Sequence, residues 1–252
     1  MALPPAAVLE VRHVKKRYGH LLALDDVSFD VRAGEILGLI GPNGAGKTTL
    51  FECLAGLLHR DAGTVTTLAD SRSTSAPSAY SASSLSVRQA FYVPDGISPW
   101  PSETVRWALD YVAGFFGGDA SAIPAIVSSL DLAPILDSAI GTLSKGQRKR
   151  ALLGPGLVTR SPLLMIDEPF DGLDLRQSRA VAALLREHAG TGRTFFLSIH
   201  QISDAARVCD RFVLLGAGRV RGEGTLAELS AHSGVSSSGV SSDLEEIFLA
   251  LT

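Results

Sequence analysis

Hydrophobic and polar residues alternate in the first part of the chain. The segments VLEVRHV and DDVSFDV place apolar side chains at every second position, as expected for strands buried on one face. Three later runs, EILGLI, PLLMID and TFFLSIH, are almost continuously apolar, which is typical of parallel strands covered on both faces. The alternating segments predict an antiparallel subdomain, and the continuous runs predict the core of the molecule.

Helix-like stretches separate the apolar strands. KTTLFECLAGLL follows the first continuous run, RAVAALLREHA precedes TFFLSIH, and the region from about 100 to 140 has helical periodicity. Apolar strands that alternate with helices predict an α/β fold with a mainly parallel, helix-covered sheet. The region from about 100 to 140 is then a helical insert in that core.

Two segments are poor in large apolar residues. SRSTSAPSAYSASSLS (71–86) predicts a flexible surface loop, and SAHSGVSSSGVSS predicts a Ser/Gly linker before the amphipathic stretch DLEEIFLALT. We therefore expect one large domain over residues 1–230, followed by a linker and a C-terminal amphipathic segment over residues 231–252.

Composition narrows the class of function. The 252 residues are 46% hydrophobic and 19% charged with a formal net charge of −3, so a sizeable core is expected and nucleic acid is not. Cys53 and Cys209 have no paired spacing, which favours a reducing cytosol over a disulfide framework. We expect neither a signal peptide nor a membrane-spanning run of about 18 apolar residues, so any membrane role would come through a partner.

A glycine-rich segment follows the first buried strand. GPNGAGKT fits the pattern Gly, four residues, Gly, Lys, then Ser or Thr, between a predicted strand and a predicted helix. Glycines let backbone amides curl around phosphate oxygens, and the following helix points its positive end at them. We predict that Lys47 binds the β- and γ-phosphates of a nucleotide and that the Thr48 hydroxyl binds Mg²⁺. The residues expected around the nucleotide are Gly41, Pro42, Asn43, Gly44, Ala45, Gly46, Lys47, Thr48 and Thr49.

Polar residues also end two other buried strands. LLMIDEP ends in adjacent carboxylates, of which Asp167 is expected to hold Mg²⁺ and Glu168 to act as a general base or to position the attacking water. An acidic turn is the simpler alternative. His200 follows TFFLSI, where it is either a structural histidine or a group that hydrogen-bonds the γ-phosphate or the water.

Together these motifs resemble the nucleotide-binding domain of ATP-binding cassette (ABC) transporters. GPNGAGKTT is similar to the Walker A motif, LLMIDEP to Walker B, LSKGQ to the family signature and FDGLD to the D-loop. SIHQISDAARVCDR resembles the switch-histidine segment, and RYG resembles the aromatic A-loop. The match runs from about Leu9 to Leu229. It implies a P-loop NTPase core with an antiparallel β subdomain and a helical signature subdomain, so that residues 1–230 are the nucleotide-binding domain.

The resemblance assigns further residues to a site shared by two domains that pack head to tail. It implies that Tyr18 stacks on adenine and that Glu168, His200 and Lys47 are catalytic. It also implies that the signature of one domain binds ATP held by a second ABC domain, identical or different. The residues expected there are Ser144, Gly146 and Gln147, with Asp174 from the D-loop. By itself, Ser144 is predicted to be the N-cap of a basic helix.

Three positions depart from the family pattern. Lys145 replaces the first glycine of the usual signature pair, which is expected to add a cation near phosphate. Asp95 stands where the Q-loop, which couples nucleotide state to the membrane partner, has glutamine or glutamate. GPG at residues 154–156 interrupts the helix after the signature, and its proline should kink that helix.

The ending DLEEIFLALT and the region VPDGISPW resemble drug-resistance and ABC-2 type exporter ATPases. The resemblance implies an ATP-hydrolysing subunit that drives a separate transmembrane permease and lies in the cytoplasm, peripheral on the inner face of the cell membrane. The alternatives are a soluble ABC ATPase such as one for iron–sulfur assembly, a cassette that binds nucleotide without hydrolysis, and a small-molecule kinase. The ending has its own alternative, a terminal amphipathic helix packed on its own domain.

Overall fold

The structure is a computed structural model that describes residues 6–67 and 89–233, together with residues 244, 246, 247, 249 and 250. Its strands are β1 (Ala7–Tyr18), β2 (Leu21–Arg32), β3 (Ile36–Ile40), β4 (Ala62–Thr67), β5 (Ala90–Val93), β6 (Leu163–Asp167), β7 (Thr194–Ile199), β8 (Arg211–Gly216) and β9 (Arg219–Gly224). Its α-helices are α1 (Lys47–Leu54), α2 (Val105–Phe115), α3 (Ile123–Ser129), α4 (Lys145–Val158), α5 (Leu175–Gly190), α6 (Ile202–Val208) and α7 (Leu226–Ser233). The loop predicted at 71–86 lies outside the described residues, as does most of the Ser/Gly linker.

The described strands form two sheets. The larger sheet has the order β5-β6-β7-β3-β8-β9, and its neighbours are parallel except for the pair β8 and β9. The smaller sheet has the antiparallel order β2-β1-β4. The mainly parallel core and the antiparallel subdomain expected from the hydrophobic pattern are therefore both present.

Each face of the larger sheet packs into its own hydrophobic cluster. Along β3, Ile36 and Ile40 face one cluster, whereas Leu37 and Leu39 face the other. Successive side chains of a strand point to opposite faces, so a strand covered on both sides must be apolar throughout. This explains the continuous apolar runs in β3, β6 and β7, all of whose residues are buried.

Aromatic side chains join the two sheets. The ring of Phe196 in β7 stacks on that of Phe51 in α1, with centroids 4.7 Å apart, and lies 5.3 Å from the ring of Phe29 in β2. The antiparallel subdomain is therefore packed directly against the helix that begins at the glycine-rich loop.

The helical insert spans the part of the chain between β5 and α4. It contains α2, α3 and three short 3₁₀ turns, and it packs on α4. Contrary to expectation, GPG does not interrupt α4, because the helix runs through Pro155 to Val158. The flanking glycines allow close packing: a methyl group at Gly154 would meet Leu109 at 2.9 Å, and one at Gly156 would meet Val93 at 3.0 Å.

Helix α1 is shorter than its sequence pattern suggests, since it ends at Leu54 and Gly56 takes a φ of 75°. A glycine in the left-handed region commonly terminates a helix. At the other end of the chain, α7 runs past residue 230 to Ser233. The side chains of Leu244 and Ile247 in the last segment are fully buried in the same cluster as Ile36.

Both cysteines are free thiols in the interior. Burial raises the pKa of Cys53 to about 11, and it also raises the pKa of Cys209. Cys209 packs tightly on β3, where a methyl group at Gly38 would lie 2.7 Å from its sulfur.

Candidate functional site

Three neighbouring parallel strands bring the candidate residues to one edge of the larger sheet. Strands β6, β7 and β3 are adjacent, and their carboxyl ends lead into Glu168, His200 and the glycine-rich loop respectively. The carboxyl ends of parallel strands are where ligands bind in open α/β sheets. Segments separated by more than 150 residues in sequence meet here for that reason.

The glycine-rich loop is shaped by backbone conformation and by packing. Gly44 and Gly46 have φ values of 82° and 104°, a region that favours glycine. A methyl group at Gly46 would also lie 2.6 Å from the Ala23 carbonyl oxygen, and one at Gly41 would lie 2.4 Å from that of Leu215. Because α1 begins directly after Gly46, the free amides of its first turn point into the loop, which suits a phosphate group.

Lys47 is the buried cation of this loop. Its side chain is 7% exposed, and its Nζ donates a hydrogen bond to the Gly41 carbonyl at 2.7 Å. The same Nζ lies 3.7 Å from Oε1 of Glu168. The loop cation and the acid after β6 therefore belong to one electrostatic cluster.

Asp167 forms the centre of a polar cluster beneath the loop. The Thr48 hydroxyl donates to its Oδ2 at 3.0 Å, and the Ser198 hydroxyl donates to its Oδ1. The described residues contain no group of three or more His, Cys, Asp and Glu side chains arranged for a metal. A hydroxyl beside a single carboxylate fits Mg²⁺, which is commonly held by one or two carboxylates together with water and phosphate oxygens.

Glu168 has a left-handed backbone, with a φ of 50°. Its N–H donates to both the carbonyl and the hydroxyl oxygen of Ser198, each at 3.1 Å. Its Oε2 lies 2.6 Å from Nδ1 of His200 and accepts the His200 N–H at 3.2 Å. A left-handed residue costs about 1–2 kcal/mol, so this conformation needs the contacts that hold it. It directs the carboxylate between Lys47 and His200.

Tyr18 lies at the end of β1 and is 46% exposed. The ammonium group of Lys16 lies 5.6 Å from its ring centroid. The adjacent strand β2 contacts the glycine-rich loop through Ala23, so Tyr18 lies at the loop end of this hairpin. The exposed ring remains available for stacking.

The residues of the signature and D-loop motifs contact their own helices. Ser144 is the N-cap of α4, as predicted, and forms a capping box with Gln147. Asp174 caps α5 in the same way with Gln177. Within the described part of the chain, no hydrogen bond or ion pair joins Ser144, Gly146, Gln147 or Asp174 to the glycine-rich loop.

The signature and the D-loop pack on each other. A methyl group at Gly146 would lie 2.6 Å from the Gly172 carbonyl oxygen. The Nζ of Lys145 lies 2.5 Å from Oδ2 of Asp171, and this hydrogen bond raises the pKa of Lys145. The cation that sequence analysis expected near phosphate is therefore paired within the chain.

Asp95 contacts a lysine that the sequence analysis did not single out. The Nζ of Lys149, in the second turn of α4, donates to Oδ1 of Asp95 at 2.6 Å and to the Asp167 carbonyl at 3.2 Å. Ser198 is the other residue that was overlooked. Each carries a recognisable signal, since Ser198 is the serine of an otherwise apolar strand interior and Lys149 is a charged residue on a buried helix face.

An apolar groove of about 370 Å³ lies between the larger sheet and the helical insert. Its lining includes Leu57, Phe91, Ile97, Trp100, Phe116 and Pro155. Tyr92 also lines it, and burial together with the nearby Asp167 carboxylate raises the pKa of this tyrosine. Tyr92 therefore lies between the groove and the Asp167 carboxylate.

Aromatic rings continue the apolar surface onto α2. The rings of Trp107 and Tyr111 stack with centroids 4.7 Å apart, and those of Tyr111 and Phe115 stack at 5.4 Å. Trp100, in the groove, packs edge-on against both Trp107 and Tyr111. Since Phe115 is 70% exposed, this surface is suited to contact with another molecule.

Comparison with known proteins yields a family match. Residues 24–171 match the family model described as ABC transporter. The chain is 36% identical over 224 residues to the Nod factor export ATP-binding protein I of Burkholderia lata, an alignment that covers 87% of the chain and 71% of the relative. The protein of the same name from Paraburkholderia xenovorans is 34% identical over 248 residues, with 97% and 77% covered.

A solved structure is similar over nearly the whole length. It is described as the ATP binding subunit of an ABC transporter, has 30% sequence identity and superimposes with a TM-score of 0.80. The superposition covers 95% of this chain and 99% of that one. Among the helices of the described residues, none is both long and apolar enough to cross a membrane.

Proposed function

This chain is a member of the ABC transporter family, an ATP-binding subunit that hydrolyses ATP, and on that premise we propose that it drives export through a separate membrane permease. One observation carries the catalytic part of the proposal. Lys47, Thr48, Asp167, Glu168 and His200 converge behind a glycine-rich loop at the carboxyl edge of three adjacent strands. Together they supply a phosphate cradle, a metal position and a base.

Export is favoured over import by the relatives. Those at 36% and 34% identity are both named Nod factor export ATP-binding proteins. The C-terminal segment and the region around Asp95 also resemble exporter ATPases. We assign the direction of transport on these grounds and make no assignment of the cargo, because substrate contacts in such systems belong to the permease.

Each of these residues has its own proposed role at the bound nucleotide. Lys47, Thr48 and Asp167 would hold Mg²⁺-ATP, with Thr48 and Asp167 on the metal and Lys47 on the phosphates. When bound, the metal neutralises charge that develops on the transferred phosphoryl group. Glu168 accepts a proton from the attacking water or orients that water, and His200 fixes the Glu168 carboxylate through its Nδ1 contact. Tyr18 provides the adenine platform.

A second ABC domain completes each site. Ser144, Gly146 and Gln147 lie at the positive N-terminal end of α4, a position that suits an anion. Ser144 and Asp174 are exposed and are not joined to the phosphate loop of their own chain, so we assign them to nucleotide held by a partner, either an identical chain or a different one. Closure of two domains around ATP is then a population shift driven by contacts made only in the closed state.

The permease is proposed to dock on the apolar groove and its aromatic extension. Leu57 and Ile97, which line the groove, are 66% and 51% exposed, so a partner would bury a continuous apolar surface there. Asp95 lines an adjoining pocket that shares Pro94 and Ile97 with the groove, which is why we assign it to coupling. In this arrangement the chain lies in the cytoplasm and reaches the inner face of the membrane only through the permease.

The proposal is tested with a tagged Glu168→Gln chain and ATP in detergent-solubilised native cells. This variant should bind ATP without hydrolysis and remain closed on its partners, and mass spectrometry should identify a polytopic membrane protein. Lys47→Ala is the matched control that should not form the ATP-dependent closed complex. Recovery of soluble partners alone would overturn transport in favour of a soluble ABC ATPase. A wild-type chain without ATPase activity, alone or with the recovered permease, would indicate a cassette that binds nucleotide without hydrolysis.

A further inference from the structure

Lys149 is a buried cation with two acceptors from different parts of the molecule. Its side chain is 6% exposed, and it donates to the Asp95 carboxylate at 2.6 Å and to the Asp167 carbonyl at 3.2 Å. A buried ammonium group is costly unless it is paired and hydrogen-bonded. The side chain therefore links α4 to the loop after β5 and to the end of β6.

The carbonyl that Lys149 binds belongs to the peptide group between Asp167 and Glu168. The N–H of that same peptide group donates to the two oxygen atoms of Ser198. The peptide plane is thus held at its oxygen by α4 and at its nitrogen by β7. The orientation of this plane relative to the flanking residues sets ψ of Asp167 together with φ of Glu168, the left-handed residue that directs its carboxylate between Lys47 and His200. Such a backbone persists only where its surroundings determine it.

We propose that Lys149 is a positioning residue for the catalytic acid: it fixes the Asp167–Glu168 peptide plane, and Asp95 holds the lysine in place. This inference rests on the proposed function, since it supposes that Glu168 acts on the attacking water. It gives the aspartate at residue 95 a role through Lys149 rather than through direct contact with metal. Through Lys149, helix α4, which begins at the signature motif, is connected to Glu168 of the same chain.

The test compares four purified chains with the wild type. Lys149→Met removes both hydrogen bonds, Lys149→Arg retains donors for both acceptors, and Asp95→Asn removes the carboxylate charge while leaving an acceptor. Arg186→Met is the matched control, because Arg186 also pairs with an aspartate, Asp210, but is 43% exposed and lies outside the proposed site. The measurements are kcat and KM for ATP, nucleotide affinity, the thermal midpoint, and hydrogen exchange of residues 163–171 without nucleotide.

For Lys149→Met we expect kcat to fall about tenfold to a hundredfold, as a misplaced catalytic group does. KM and nucleotide affinity should change less than about twofold, because the phosphate loop is untouched. Hydrogen exchange should accelerate at the Glu168 amide. Lys149→Arg should recover most of kcat, Asp95→Asn should show a smaller loss than Lys149→Met, and Arg186→Met should match the wild type.

The inference is overturned if Lys149→Met keeps kcat within about twofold of the wild type. It is also overturned if nucleotide affinity falls as much as kcat, since the Lys149–Asp95 pair would then only stabilise the fold. Should Lys149→Met fail to fold, Asp95→Asn decides, and wild-type kcat and exchange in that chain refute the proposal. A wild type without ATPase activity would refute the proposed function, while the exchange measurement would still report on the peptide plane.

Discussion

The two groups of nucleotide-binding residues assigned to this chain differ in how they are held. Those behind the phosphate loop contact one another, and Lys47 and Asp167 are almost completely buried. Those at the start of α4 and α5 cap their own helices, and Ser144 and Asp174 are exposed. One half of the proposed site is organised within the chain, whereas the other half presents its groups outward. The difference is what a site shared between two domains requires.

The largest expected effect comes from mixing two inactive chains. Lys47→Ala removes the phosphate cation and Ser144→Arg blocks the signature, so each alone should lose kcat by about 10²-fold or more. If identical chains pair, a mixed dimer contains one site with both defects and one with neither. Random pairing should therefore restore about a quarter of wild-type ATPase activity.

The measurement is ATPase activity against mixing ratio, with equal amounts of either variant alone as controls. Mixed dimers that form without any recovery would contradict sharing of the site between identical chains.

The second prediction tests whether packing, in addition to backbone conformation, shapes the phosphate loop. Gly46→Ala combines a left-handed φ with a contact of 2.6 Å to the Ala23 carbonyl oxygen, so it should lower the free energy of unfolding by about 2–5 kcal/mol. Gly44→Ala is the matched control, because its φ is also positive but no atom lies within 4 Å of the added methyl group. It should cost about 1–2 kcal/mol in urea denaturation. Equal losses would show that backbone strain, not packing on β2, shapes the loop.

The third effect tests the outward-facing half. Ser144→Ala and Asp174→Ala each remove an N-cap, so each should lower the free energy of unfolding by about 1 kcal/mol. Neither should change the affinity of the isolated chain for Mg²⁺-ATP, measured by titration at high dilution, because neither residue contacts the phosphate loop of its own chain. A weakened affinity in the isolated chain would contradict their assignment to a partner's nucleotide.

The smallest effect concerns Lys145→Met, which breaks an exposed ion pair and should cost less than about 1 kcal/mol. Burial raises the pKa of Asp171, but the hydrogen bond from Lys145 and the nearby positive charges of Lys145 and Lys149 together outweigh it, so the pKa lies below the ordinary 3.8. The lowered pKa of Asp171 stabilises the folded chain above pH 3.8, and this stabilisation is lost as pH falls through the folded-state pKa. The raised pKa of Lys145 stabilises the folded chain below pH 10.5, and this stabilisation is lost as pH rises through the folded-state pKa. The difference in thermal midpoint should therefore be constant between about pH 5 and 9.

The check is a double-variant cycle. Asp171→Asn should show the same small loss, and the double variant should add nothing further. Full additivity would mean that the pair does not interact in solution.

Much of this architecture follows from the sequence pattern. Continuous apolar runs predicted the strands whose adjacent ends bring the loop, Asp167 and His200 together, and the N-cap at Ser144 was confirmed. The interruption of α4 at GPG was predicted wrongly, because a proline signal is local whereas the packing permitted by Gly154 and Gly156 is tertiary, and the kink expected at Pro155 stays a prediction. The contacts of Lys149 involve three elements that are distant in sequence, so no single segment of the sequence predicts them.

The two buried thiols are expected to be unreactive in the folded chain. Thiolate is the reactive form of cysteine, and both side chains are inaccessible with raised pKa values, so thiol reagents should spare the folded chain. A single cysteine introduced at an exposed position such as Phe115 or Leu175 would then be the sole labelled site. Fluorescent or spin probes placed there can test the proposed domain closure and permease docking while both native cysteines are retained. Reaction at Cys209 would itself report unfolding around β3.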